Sequence, residues 1–149
     1  MRYGSFRRIV ALAFCLAALT VKAAPADDLV TTLPLFPTSS VLPKSYAGYL
    51  EAKGGVKQMF YWLFTPTSGV DPTTLIVWFT GGPGCSSLFA EVTEQGPIQV
   101  TQGSNGPSVF LKPINWAENY AIAFIESPCG VGFSYATDHN YTTGDDIAA

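Results

Sequence analysis

Leu75-Ile76-Val77-Trp78-Phe79-Thr80-Gly81-Gly82-Pro83-Gly84-Cys85-Ser86-Ser87 decides how this sequence is read. Five uninterrupted apolar residues, 75–79, suit a strand covered on both faces, as in a parallel sheet. The run stops at Gly81-Gly82-Pro83-Gly84. Consecutive glycines directly after a strand let the backbone bend sharply and come close to a ligand. Their N–H groups can also point outward together and stabilise negative charge developing on an oxygen. Taken alone, the same four residues are equally well read as a tight turn between strand and helix. Residues 86–95 then predict a helix, with Leu88, Phe89 and Val92 on one side and Gly96-Pro97 as its stop. Ser86 and Ser87 have the chemistry of helix-start residues.

Working outward, residues 45–52 and 56–65 read as two strands around Gly54-Gly55, which predicts a β-hairpin. Residues 98–120 read as mixed loop and short strand. Ala121-Ile122-Ala123-Phe124-Ile125 is a second short buried strand, and it also runs into a Gly/Pro-rich turn, Pro128-Cys129-Gly130. Strand, glycine turn, helix and buried strand in that order are an α/β signature. Residues 24–43, rich in Pro, Thr, Ser and Asp, predict an extended N-terminal segment ahead of a domain that occupies 44–149.

The 149 residues are 48% hydrophobic and only 13% charged, which excludes a disordered chain. A net charge of −3 disfavours nucleic acid as a partner. Arg2, Arg7 and Arg8 precede an apolar run, 9–21, that is short for a bilayer span, and small residues follow it. Residues 1–23 are therefore read as a secretory signal peptide, with an N-terminal anchor as the alternative. Its removal leaves four basic residues against eleven acidic, a formal charge of −7, and a protein with no membrane segment. Cys15 leaves with it. Cys85 and Cys129 then meet an oxidising compartment, where a disulfide between them is one option and a small buried thiol at Cys129 the favoured one. Asn140-Tyr141-Thr142 is a glycosylation sequon that export makes usable.

The stretch 77–87 resembles the serine carboxypeptidase family, α/β-hydrolases that remove C-terminal residues from peptides. The family pattern is apolar-Trp-apolar-Asn-Gly-Gly-Pro-Gly-Cys-Ser-Ser. Glu94-Gln95-Gly96-Pro97, Lys112-Pro113-Ile114-Asn115-Trp116 and Ile125-Glu126-Ser127-Pro128-Cys129-Gly130-Val131-Gly132-Phe133-Ser134-Tyr135 are similar to three further family segments, in the family's order. The resemblance implies the N-terminal part of an α/β-hydrolase fold: a β-hairpin and the first strands of a mixed central sheet, incomplete. It implies that the Gly82 N–H is an oxyanion-hole donor, in the manner of the glycine loop of lipase-type hydrolases. It also implies that Thr80, the Gly81 backbone and Glu94 hold a substrate's C-terminal carboxylate, with no metal and no cofactor. Thr80 departs from the usual Asn and offers one short-reaching hydroxyl in place of two N–H donors. In the family, the acid matched by Glu94 works beside a second carboxylic acid. An acid facing a substrate carboxylate must hold a proton, because like charges disfavour its ionised form. Cys85 matches a cysteine that the family joins to a distant position.

A serine hydrolase needs a nucleophile, a base and a residue that orients the base. The family's Gly-Glu-Ser-Tyr-Ala-Gly segment and the Asp and His that follow it are absent from the 149 residues. The one histidine, His139, reads as a loop residue. Gly132-Phe133-Ser134-Tyr135-Ala136 approximates a nucleophile elbow, yet loop rather than helix follows it, and the family match makes this segment structural. Residues 142–149 resemble the start of a family helix. The expectation is thus a fragment of a carboxypeptidase, inactive as it stands, whose parent acts on peptide or protein C-termini. The secretory pathway, then a lysosome, a vacuole or the extracellular space, is the expected location. The alternatives are a non-catalytic secreted protein that binds peptide carboxylates and a carboxypeptidase-like acyltransferase.

Overall fold

The computed structural model describes residues 25–69 and 73–141. The signal peptide expected at 1–23, Cys15 and the helix start expected at 142–149 lie outside the described residues.

The hairpin forms where the sequence places it. Strand β1 (Ser45–Ala52) pairs antiparallel with β2 (Lys57–Phe64), from Ser45 opposite Phe64 to Ala52 opposite Lys57. Strand β3 (Leu75–Trp78) runs parallel to β6 (Ala121–Ile125), and β6 runs antiparallel to β2. The order is β1-β2-β6-β3, with the two-residue strand β7 (Tyr135–Ala136) added beside the start of β2. A parallel pair requires a long crossover. Here it carries a helix starting at Ser87 and a hairpin of β4 (Ile98–Gly103) and β5 (Gly106–Leu111). The α/β reading and the mixed sheet are both borne out.

β6 is central, and Ala121, Ile122, Ala123 and Phe124 are all buried. Ile122 and Phe124 meet Phe64, Ile98, Val109 and Ala117 in the core. Phe64 and Phe124 pack edge to face with centroids 6.3 Å apart, and burying each ring stabilises by roughly 2–3 kcal/mol.

Four expectations need correction. β3 is not covered on both faces. Ile76 and Trp78 pack against the core, whereas Leu75 and Val77 are exposed, because β6 is its only neighbour among the described residues. The helix buries Ser87, Ala90 and Glu91, not Leu88, Phe89 and Val92 together; Phe89 is exposed. Residues 98–111 form a regular hairpin, turning at Ser104-Asn105. The segment ahead of β1 is not simply extended. It contains a short 3-10 turn (Ala26–Asp28), and Leu33, Phe36 and Leu42 pack on the core. Asp28 there accepts a hydrogen bond from the Tyr61 hydroxyl at 2.5 Å. Among the described residues no helix is long and apolar enough to cross a membrane.

Candidate active site

The glycine loop is fixed at both ends by serine hydroxyls. The Ser87 hydroxyl is fully buried, accepts from Thr80 N–H at 3.0 Å and donates to the Ile125 carbonyl at 2.6 Å. One side chain thus ties the end of β3, the start of the helix and the end of β6 together. The Ser86 hydroxyl accepts from Leu88 N–H at 3.2 Å as the helix N-cap, and donates to the Glu126 carboxylate. Sequence reasoning gave these serines helix-start roles, and the geometry agrees.

Thr80 is half-buried, and its hydroxyl oxygen accepts from Trp78 Nε1 at 3.1 Å. The Trp78 ring is held edge to face by Trp116, centroids 5.9 Å apart. With the indole donating to Thr80 Oγ1, the Thr80 hydroxyl proton is left to donate outward. Gly81 and Gly82 are exposed, and their N–H groups have no backbone partner among the described residues. Gly82 has φ 141°, a conformation that side chains rarely adopt, and a Cβ there would sit 3.3 Å from both Cys85 Sγ and Gly84 N. A cleft of about 550 Å³ opens between Gly84 and the turn 129–135, with Tyr141 on its rim.

Glu94 lies in the last turn of the helix that follows the glycine loop and is exposed there. Its carboxylate accepts from Gln95 Nε2 at 3.2 Å, and its carbonyl accepts from Lys112 Nζ. The structure presents Thr80, Gly81 and Gly82 on one loop and Glu94, exposed, in the last turn of the helix after it. Cys85 is exposed and Cys129 buried, and no disulfide joins them. The buried-thiol reading of Cys129 holds. Asn140 and His139 are exposed in a loop. Ser134 is no nucleophile in this geometry. Its hydroxyl is buried, accepts from Phe60 N–H at 2.8 Å and donates to the Glu126 carbonyl at 2.7 Å.

Sequence reasoning gave Glu126 no role of its own, yet it organises the floor of the site. It is fully buried. One carboxylate oxygen accepts from Ser86 Oγ and the other from Phe133 N–H, while its own N–H donates to the Phe60 carbonyl at 2.9 Å. Gly132 lies so close that a Cβ would fall 1.7 Å from Glu126 Oε2. The available signal was an acid at the end of a buried strand, followed closely by two glycines, Gly130 and Gly132.

The protein-family comparison matches residues 34–149 to a family described as serine carboxypeptidase. The chain is 40% identical over 134 residues to "Serine carboxypeptidase ctsa-4.1" of Caenorhabditis elegans, covering 89% of this chain and 26% of that protein. It is 36% identical over 124 residues to "Lysosomal protective protein" of Mus musculus, covering 83% of this chain and 25% of that protein. Among solved structures, a prohormone-processing carboxypeptidase from Saccharomyces cerevisiae aligns with TM-score 0.52 and 30% identity, over 62% of this chain and 21% of that one. The chain spans about a quarter of the length of these curated relatives.

Proposed function

This chain belongs to the serine carboxypeptidase family, and we propose that it supplies the oxyanion-hole and carboxylate-binding half of a serine-type carboxypeptidase site. The nucleophilic Ser, the Asp and the His of that site come from sequence outside these 149 residues. The observation that carries this reading is the Thr80-Gly81-Gly82 segment. Ser87 and Trp78 hold it rigidly, and it keeps two glycine N–H groups and one hydroxyl proton unspent. In the proposed reaction the serine oxygen attacks the last peptide carbonyl, and the Gly82 N–H donates to the oxyanion that forms. The C–N bond then breaks, the leaving amine takes a proton, and water hydrolyses the acyl-enzyme. The Thr80 hydroxyl, the Gly81 N–H and Glu94 hold the substrate's free carboxylate, which restricts cleavage to the C-terminus. Export through the secretory pathway, with Asn140 glycosylated, fits the N-terminal sequence and the exposure of Asn140.

Thr80→Val in the full-length protein tests the carboxylate grip. A hydrogen bond to a charged group contributes about 1.5–3 kcal/mol, so kcat/KM for an N-blocked dipeptide acid should fall roughly 10- to 100-fold. The C-terminal amide of the same dipeptide should lose little. Equal losses on acid and amide would contradict the role given to Thr80.

A further inference from the structure

Glu91 is the ionisable group this reading leaves unused. Its side chain is fully buried, and no donor among the described residues meets either carboxylate oxygen with good hydrogen-bond geometry, although the Ile98 N–H comes near. It begins a π-helical turn (Glu91–Gln95) that continues the short α-helix Ser87–Ala90. Such turns recur at functional sites and depart from regular helical pairing. The turn closes where Gly96 N–H donates to the Glu91 carbonyl at 3.1 Å. A Cβ on Gly96 would lie 2.3 Å from that carbonyl oxygen and 2.7 Å from Glu91 Oε1. The carboxyl is thus wedged under the backbone that ends the turn. Glu94 lies on the same turn, three residues on, and Lys112 Nζ ties its carbonyl to the segment after β5.

The elements packed against the turn, Ser87–Ala90 and β4 (Ile98–Gly103), carry no ionisable side chain. Of the charged groups near its end, Glu94 faces solvent and Lys112 is engaged with the Glu94 carbonyl. Burial alone pushes the Glu91 carboxyl up to about 8, with the Ile98 N–H pulling more weakly the other way.

We propose that Glu91 is a protonation-dependent latch that positions Glu94: neutral, it stays stored beneath the Gly96-Pro97 backbone and the turn is shut; ionised, it seeks water and the turn opens. The link to substrate rests on the carboxylate-binding reading of Glu94; the latch itself does not. In the opened turn the solvated carboxyl titrates near the ordinary value of about 4.3. Opening therefore releases a proton at any pH between that value and about 8. The opening equilibrium rises up to about tenfold per pH unit across this window and is flat above it. Glu94 is held most firmly in acid and progressively less so towards neutrality. Glu91 is a positioning residue, since it acts through Glu94.

Amide hydrogen exchange on the full-length protein from pH 5 to 9 tests this, with wild type beside Glu91→Gln. Wild-type protection factors at Gly96 and Ile98 should fall at least about tenfold between pH 5 and 8 and then level off. The Glu91→Gln profile should be flat. A flat wild-type profile, or the same fall in Glu91→Gln, overturns the latch. Should Glu91→Gln fail to fold, Glu91→Leu, apolar and of similar size, takes its place. Binding of an N-acetylated dipeptide acid over the same pH range separates the two claims. A pH-dependent turn in a protein that never binds the peptide overturns the carboxylate reading and upholds the latch. Peptide binding that stays constant while the turn opens overturns the coupling to Glu94.

Discussion

Gly132→Ala is expected to lower stability by about 4 kcal/mol or more. At φ 52° an alanine already costs about 1–2 kcal/mol. The larger part is steric, because the new Cβ would lie 1.7 Å from Glu126 Oε2 and 2.2 Å from its Cδ. A flexible surface carboxylate would swing away. This one is fully buried, and moving it releases both the Ser86 hydroxyl and the Phe133 N–H. Overpacking adds about 1–3 kcal/mol, and breaking bonds to a charged acceptor about 1.5–3 kcal/mol. Gly54→Ala is the matched control. Gly54 has φ 67° with nothing within 4 Å of a Cβ, so only the conformational cost remains there. Denaturant midpoints of the two variants in the full-length protein measure the difference. Equal losses would mean that the Gly132–Glu126 contact is not restrictive.

Glu126→Ala is the second large effect, with an expected loss on the order of 3–5 kcal/mol. It leaves the Ser86 hydroxyl and the Phe133 N–H without their acceptor and opens a cavity where the carboxylate was. Glu126→Gln should cost much less, about 1 kcal/mol. The amide oxygen can accept from Phe133 N–H, and the Ser86 hydroxyl can rotate to accept from the amide nitrogen. The consequence reaches the proposed chemistry, because Ser86 closes the glycine loop at its helix end. Activity in the Ala variant should therefore fall further than its folded fraction explains. If Gln and Ala destabilise equally, the buried charge itself matters, and the site is not the hydrogen-bond hub described above.

These residues show where sequence reading succeeds and where it stops. The hairpin, β3 and β6 were legible because apolar runs between glycine turns have few other ways to bury themselves. The β4–β5 hairpin was legible only as mixed loop and short strand, because Gln99, Thr101 and Ser108 give it a polar face. The buried face of the helix was misread for a different reason. The end of β6 presents a carbonyl, Ile125 O, and a carboxylate, Glu126, so hydroxyls rather than large apolar side chains meet them. The glycine turn at 81–84, directly after β3, was legible from the apolar run that precedes it, whereas the roles of Thr80, Gly81 and Gly82 came from resemblance alone. Glu126 and Glu91 were not legible, because a buried acid cannot be told from a solvated one until the fold shows what covers it. Without the resemblance, Glu94 reads as a solvated residue that ends a helix, and it is exposed there.

The enzyme proposed for this segment is a peptidase that acts on free C-termini. The most direct test of that proposal is release of the C-terminal amino acid from an N-blocked dipeptide by the full-length protein at acid pH, with the dipeptide amide alongside. Release from the free acid is expected, with at least tenfold slower cleavage of the amide. No release from the acid, or equal cleavage of acid and amide, would contradict it.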